Sequence, residues 1–506
     1  MTLARTHTMA LLGLAGHPVE VEVDIADGLP SYTLLGLPDA ALSESRERVR
    51  SALVNTGAPW PNRKVTVSLS PAWLPKSGSS YDLPIAAALL MAQGIIPNEE
   101  NSQRILLGEL GLDGQVRGVQ GVLPALLAAK KSGAREAIVS HINYHEALAV
   151  EGMRIVPLMT LRDLLSFLTT GETIDLPKPD ERSVLTQLDL CDVAGQSGAK
   201  RSLEIAAIGG HHLFFIGPPG TGKTMLAERI PSILPALSEA DSLEVAAISS
   251  IAGQWSTQGA ISRTPPFISP HHSTTAVAMI GGGAHQVRPG ACSLANCGVL
   301  FIDEAPECGK GVLDSLRQPL ESGSVTISRS IATMSFPARF MLVLAANPCP
   351  CGKFSGRGRS CTCTSLQIRR YLQKISGPLL DRIDIRVFVE APTRAEMAST
   401  QAHESSNDVR SRVVKARAIA AERFAGEEWT LNSEIPPSAL RKRYLAERSA
   451  MAILHQELDL ERLSARGFHK VLRVAWSVAD SNGHANPTKD DVEIALEMRT
   501  GMENFL

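Results

Sequence analysis

The chain has 506 residues, enough for about three domains. Hydrophobic residues make up 44% and charged residues 20%, an ordinary globular balance that can fill several cores. With 50 basic side chains against 52 acidic ones the net charge is −2, which excludes coating of nucleic acid by bulk charge, and 4% aromatics exclude extended base-stacking platforms.

Near the amino end a short apolar run, residues 9–15, leads into VEVEVDI with no small-residue cleavage site, so no signal peptide is expected. Residues 19–25 alternate apolar and acidic side chains as a half-buried strand does. Ser43 is placed to cap a helix running to about Val54, with Gly57 behind it as a stop. Residues 64–69 alternate again, an alanine- and leucine-rich helix follows Asp82, and another is predicted from about Leu123 to Lys131, ahead of Gly133. Together these make 1–170 a compact α+β unit.

Residues 171–190, rich in proline, threonine and charge, read as a linker. From 191 to 392, apolar strands at 213–216, 299–302 and 339–345 alternate with helical stretches, the pattern of an α/β parallel sheet covered by helices. Residues 393–506 are expected to be helical. Thr488 and Asp491 there form a capping box for a last helix through Val492, Ala495 and Leu496. The longest apolar run, 85–92, falls far short of the roughly 20 residues that span a bilayer. Eight cysteines are too few for a disulfide scaffold, so a cytoplasmic chain with reduced thiols and no membrane partner is expected.

The sharpest signal is GPPGTGKT, formed by Gly217, Pro218, Pro219, Gly220, Thr221, Gly222, Lys223 and Thr224. It follows the apolar strand LFFI and opens a helix that runs to about Ile230. Its glycines let backbone N–H groups approach phosphate oxygens, and the helix N-terminus adds a favourable field. Lys223 is assigned to the β- and γ-phosphates and the Thr224 hydroxyl to Mg2+. About 80 residues on, VLFIDE sets Asp303 and Glu304 at the carboxyl end of a buried strand, where ligands of open sheets collect. Asp303 is expected to hold Mg2+ and Glu304 to orient or deprotonate the attacking water. FMLVLAAN ends in Asn347, placed to help position that water; an ordinary turn asparagine is the alternative.

Cys349, Cys351, Cys361 and Cys363 follow at once as C-x-C-x9-C-x-C. Four thiolates could bind one Zn2+ and pin the loop, but the spacing is not the common C-x2-C, and free thiols remain open. Cys191, Cys292, Cys297 and Cys308 read as isolated structural residues. Residues 349–371 carry Lys353, Arg357, Arg359, Arg369 and Arg370 and no acid, either a phosphate-contacting segment or a solvated one. His271 and His272 read as loop structure, because adjacent histidines point apart on a strand or helix and so make a poor metal pair.

In their order along the chain, GPPGTGKT, VLFIDE, AAN, GPLLDRID and SARGFHK resemble the YifB/ComM family of bacteria, a magnesium-chelatase-like group of AAA+ ATPases. SPHHSTTAVAMIGGG, RPG and RRYLQKISGPLLDRID carry the same resemblance, which spans essentially the whole chain. It implies an ATP- and Mg2+-dependent P-loop AAA+ domain over 191–392 and a C-terminal helical lid over 393–506. Arg382 of LLDR would be the arginine finger presented to a neighbouring subunit's nucleotide, and Arg466 of SARG the sensor-2 arginine of the lid. A guanidinium near the γ-phosphate stabilises transition-state charge, and one supplied in trans couples hydrolysis to ring geometry; a surface salt-bridge arginine is the alternative for each.

The resemblance further implies a homo-oligomeric ring, a hexamer, acting as a helicase or branch-migration motor on single-stranded or branched DNA in natural transformation or recombination. The alternative is a chelatase-type motor that remodels a protein partner for metal insertion. The long gap between Lys223 and Asp303, rich in glycine, proline and histidine, is expected to hold inserted loops, and 325–336 a hairpin with Arg329. In relatives that move along DNA such loops line the central channel.

Within 1–170, PAWLPKSGSSYDLPIAAAL and GELGLDGQVRGVQGVLPALLAAKKSGAREAIVS resemble the Lon protease domain, of the ribosomal S5 domain 2-like fold. Such proteases use a Ser–Lys dyad. Ser80 falls at the serine position, but the lysine position falls on Leu123, which takes no proton. Tyr81 and Asp82 replace the small residues that would admit substrate, and Lys130 and Lys131 sit on the following helix as surface residues. A non-proteolytic Lon-like domain is expected.

Overall fold

The computed structural model describes residues 2–37, 39–99, 101–177, 188–255, 261–283, 287–329, 333–354, 361–397 and 403–500. Its amino-terminal part contains β1 (Thr2–Leu12), β2 (Ala15–Ala26), β3 (Ser31–Leu35), β4 (Lys64–Ser70), β5 (Arg104–Leu107), the short pair β6 (Glu109–Leu110) and β7 (Val116–Arg117), then β8 (Glu136–Ser140) and β9 (Arg154–Leu158). Seven of them form a mixed sheet in the order β3-β4-β2-β1-β5-β8-β9. β1 and β2 zip antiparallel from Thr2 opposite Ile25 to Leu12 opposite Ala15, so the apolar run at 9–15 is the end of a strand and its turn.

Strict alternation in β2 buries Val19, Val21, Val23 and Ile25 against the helices Ser45–Thr56 and Asp82–Ala92. Every residue of Asp82–Ala92 is buried. Its one carboxylate therefore needs a partner, and Arg48 supplies it in a two-pronged pair, Nε to Oδ2 at 2.6 Å and Nη2 to Oδ1 at 3.0 Å. Burial pushes the Asp82 carboxyl up to about 6 even so. The expected Ser43 cap is corrected: the chain makes a short turn of helix, Ala40–Ser43, and restarts at Ser45, with Ser43 donating to the Asp39 carbonyl at 2.8 Å. Gly57 does close that helix, in the left-handed conformation at φ 93°.

The second sheet follows β10 (Leu213–Ile216), β11 (Phe267–Ile268), the pair β12 (Gly281–Gly282) and β13 (Arg288–Pro289), β14 (Val299–Ile302), the hairpin β15 (Ser324–Ser328) and β16 (Thr333–Pro337), β17 (Met341–Ala346) and β18 (Ile385–Phe388). Its order is β11-β14-β17-β10-β18 and every pairing is parallel. β17 starts two residues later than expected because the Arg339 amide is taken by the Asn296 side chain. Leu213, Phe215, Val299, Phe301, Val343 and Ala345 face one layer of helices, and Phe214, Ile216, Leu300, Ile302, Leu342 and Leu344 face the other. Parallel strands buried on both faces read as continuous apolar runs, as these do.

The carboxyl-terminal helices Ser406–Arg423, Arg448–Asp459, Ala465–Asn482 and Lys489–Thr500 join the first of those layers. The last one opens with the expected box: the Thr488 amide donates to Asp491 at 2.9 Å and the Asp491 amide to the Thr488 hydroxyl at 3.4 Å. Among the described residues no helix is long and apolar enough to cross a membrane.

Among the described residues between Lys223 and Asp303, a regular helix precedes the glycine- and proline-rich stretch expected to form loops. This helix, Glu239–Ile251, is capped by the Ser238 hydroxyl and docks on the amino-terminal unit. Ala246 shares a core with the helix Val122–Lys131, the Gly121 amide donates to the Ser250 carbonyl at 3.2 Å, and the Ser250 hydroxyl bonds Glu146. A second junction joins the β1–β2 turn to β16, where a Cβ on Gly13 would lie 3.3 Å from the Ser335 carbonyl.

Candidate nucleotide site

Strand β10 ends where GPPGTGKT begins, and the helix Lys223–Glu228 starts inside the motif, so the loop is held at both ends by regular structure. Gly220 and Gly222 take positive φ, 76° and 86°, which lets the backbone curl with its amides inward. Gly217 has no room for a side chain, since a Cβ would collide with the Val389 carbonyl. The Thr221 hydroxyl closes the curl on the Pro218 carbonyl at 2.9 Å.

The Lys223 ammonium is folded into its own loop, donating to the Gly217 carbonyl at 2.7 Å, the Pro218 carbonyl at 2.9 Å and the Asn347 side chain at 3.4 Å. An incoming phosphate oxygen would replace those carbonyls. Burial lowers the lysine's pKa, and the charges of Asp303 and Glu304 push it back up. The Thr224 hydroxyl donates to Asp303 Oδ2 at 2.8 Å, so the two groups assigned to the magnesium ion already touch. Both Asp303 and Asn347 lie at the carboxyl ends of strands next to the loop, on β14 and β17. The arrangement can neutralise a polyphosphate, offer two oxygen ligands to a hard cation and hold a carboxylate beside them.

That carboxylate is Glu304, at a positive φ of 49°. His272 Nδ1 stands 3.4 Å from its Oε2. The two histidines do not point apart as expected: they sit in a turn with ring centroids 4.0 Å apart, which is how His272 reaches Glu304. Gln196, which no motif marks, takes a left-handed φ of 56° and donates its amide to the carbonyl of Thr221 inside the loop and to that of Glu390 at 3.4 Å. Neither contact has a spacing signature; both come from irregular chain folded alongside the strand ends.

The structure does not bring the two arginines to the phosphate loop of their own chain. Arg382 precedes β18, at the opposite end of the sheet, where it pairs with Glu321 and donates to the Pro378 carbonyl at 2.7 Å. It borders a cleft of about 800 Å3 together with Arg339, Arg417, Lys470 and Arg473. Arg466 is exposed in the first turn of Ala465–Asn482, and one turn on, Lys470 bonds the Arg382 carbonyl at 2.9 Å and the Asp384 side chain. The helices Ala465–Asn482 and Lys489–Thr500 thus meet the chain at the amino-terminal end of β18, where Arg499 also donates to the Ile383 carbonyl at 2.8 Å.

Cys349, Cys351, Cys361 and Cys363 converge, with all four sulfurs within 4.8 Å of one another. Lys353, Arg369 and Arg370 of the same segment are exposed, whereas Arg357 and Arg359 lie outside the described residues. In the amino-terminal unit Leu123 is fully buried and its amide donates to Glu146 at 2.9 Å. Ser80 borders a 290 Å3 cavity with Ser79, Glu109 and Gly121. Lys130 is exposed and bonded to the Glu151 carbonyl, and Lys76 is buried with its ammonium on the Pro71 carbonyl, so neither stands as a free base.

Three family models match the chain: "Subunit ChlI of Mg-chelatase" at 21–143, "Magnesium chelatase, subunit ChlI" at 189–397 and "Magnesium chelatase, subunit ChlI C-terminal" at 403–499. The chain is 42% identical over 501 residues to the uncharacterized protein YifB of Escherichia coli, covering 99% of this chain and 97% of that one. It is 41% identical over 510 residues to the competence protein ComM of Haemophilus influenzae, covering 99% and 98%. A stretch of 96 residues is 31% identical to Lon protease 2 of Bacillus subtilis, covering 19% of this chain and 17% of that one.

Proposed function

The chain belongs to the YifB/ComM family of magnesium-chelatase-like AAA+ ATPases, and on that premise we propose a ring-forming motor that couples ATP hydrolysis to movement along single-stranded or branched DNA. One observation carries the reading. The phosphate loop, Asp303, Glu304 and Asn347 form a site with every part except the cation that balances charge on the departing phosphate, and Arg382 stands at the opposite end of the same sheet. On this reading a subunit that presents its loop at one end of the sheet and its arginine at the other completes its site against a copy of itself, and head-to-tail contacts whose rotation closes make a ring.

In the working cycle Lys223 would hold the phosphates of ATP, and Thr224 and Asp303 would offer the oxygen ligands to Mg2+. Glu304 orients the water with His272 behind it, and Arg382 of the next subunit stabilises the transition state. The amino-terminal unit is read as a Lon-like fold without proteolysis, because the helix that would carry a catalytic lysine gives Leu123 to the core. The competence name of the Haemophilus relative supports a role in handling incoming DNA.

The test is ATPase rate with and without single-stranded, duplex and branched DNA. Stimulation by branched or single-stranded DNA together with a gel shift supports the reading. Flat rates and no shift overturn the DNA part and turn the motor toward a protein partner, as in the chelatase-type alternative.

A further inference from the structure

Four cysteines close to the phosphate loop have no role in the nucleotide chemistry. Cys349 is buried, Cys351, Cys361 and Cys363 are half-buried, and no disulfide joins them. The sulfur of Cys349 lies 3.4 Å from that of Cys351 and 3.6 Å from that of Cys361, and Cys351 and Cys361 are 3.6 Å apart. A tetrahedral zinc with bonds of about 2.3 Å sets its sulfurs roughly 3.8 Å apart, so a few tenths of an ångström of expansion would admit the ion. An iron–sulfur cluster needs far wider sulfur separations, because its inorganic core lies between them.

The surroundings suit a tetrathiolate. Four thiolates and one Zn2+ leave a charge of −2, and the segment that carries them, 349–371, is basic: it holds Lys353, Arg369 and Arg370 and no acidic residue. Both flanks are built to stop. Asn347 ends the run out of β17 on one side, and Thr364 caps the helix Ser365–Leu372 on the other through a reciprocal bond with Gln367.

We propose that Cys349, Cys351, Cys361 and Cys363 hold one Zn2+, and that the ion braces the back of the phosphate loop. The link is Gly352, between the second and third ligands, with φ 72° and packed so tightly on Pro219 that a Cβ there would lie 2.7 Å from the proline Cγ. Held by the metal, residues 349–352 are a rigid wall behind Pro219 and a fixed anchor for Asn347; without it they are a loop with one cap. This site is independent of the DNA reading and would stand if that reading fell.

The experiment is metal analysis of the full chain purified with reductant and without chelator, in the absence of nucleotide. The expected content is about one zinc per chain, released in step with modification of four thiols by a mercurial, and falling to near none in the double variant Cys361→Ser, Cys363→Ser. To separate site loss from unfolding, zinc release is followed in the parent protein by a metal-sensitive dye while circular dichroism monitors the helices. Binding of a fluorescent ATP analogue is expected to weaken once the metal is gone. Substoichiometric zinc with all thiols free, equimolar iron instead, or full zinc in the double variant would each overturn the metal assignment. Zinc loss with unchanged nucleotide affinity would overturn the bracing.

Discussion

Thr224 and Asp303 are about 80 residues apart in the chain and 2.8 Å apart in the fold, and the motifs that contain them mark both in the sequence. Their chemistry imposes a spacing: a glycine loop must follow one strand, and a carboxylate must end another. Gln196 and His272 touch the same site and carry no such mark, since each reaches it from irregular chain. The assigned roles separate in two variants. Lys223→Ala should abolish binding of a fluorescent ATP analogue, whereas Glu304→Gln should keep binding and lower hydrolysis about 100-fold or more, because only the water loses its partner. A pH prediction comes from His212, whose Nδ1 accepts the Leu342 amide at 3.0 Å. Loss of hydration pushes this imidazole down to about 4. Between about 6.5 and 4 the unfolded chain binds a proton there that the folded chain refuses, so the contribution is whole above about 6.5 and fades as pH falls. His212→Gln should flatten thermal stability against pH across that window.

Elements are legible where they carry a period and illegible where they carry packing. β2 announces itself by alternation and β10, β14 and β17 by unbroken apolar runs. The helix Glu239–Ile251 hides in a stretch that reads as loops, because its buried face includes small residues, Ser242, Ala246, Ala247 and Ser250, that give little apolar signal. The break at Glu44 is hidden for another reason: a serine that can cap a helix can also end one. The short segment after Asn347 offers a test at this scale. Gly352→Ala puts a side chain in a left-handed residue and into Pro219, so it should cost about 1–2 kcal/mol from the backbone alone. Nucleotide binding should weaken in parallel, measured by thermal melts with and without ATP analogue.

How the two sheets meet has no signature in the sequence, because docking surfaces have no period. Glu146 shows the physics: it is buried, burial raises its pKa, and it accepts from the Leu123 amide, Asn143 and, across the junction, the Ser250 hydroxyl. Removing the carboxylate in Glu146→Ala orphans these donors and should cost about 1–3 kcal/mol. The expected sign is a melting transition that splits in two, with the amino-terminal unit released first by limited proteolysis. At the level of the assembly, Arg382→Ala and Lys223→Ala should each be inactive alone. Mixed in equal amounts they should recover up to about a quarter of the parent rate, since one subunit's loop then meets its neighbour's intact arginine. No recovery at any ratio would rule out catalysis across subunits.

Glu321 and the Pro378 carbonyl hold the guanidinium of Arg382 at home. In the proposed ring a neighbour's nucleotide would have to displace that pairing, which the solitary molecule keeps. Dilution should therefore silence the enzyme long before it unfolds it, and specific activity should climb with protein concentration until rings saturate. A catalyst built on that proposal would answer to its own abundance as well as to its fuel.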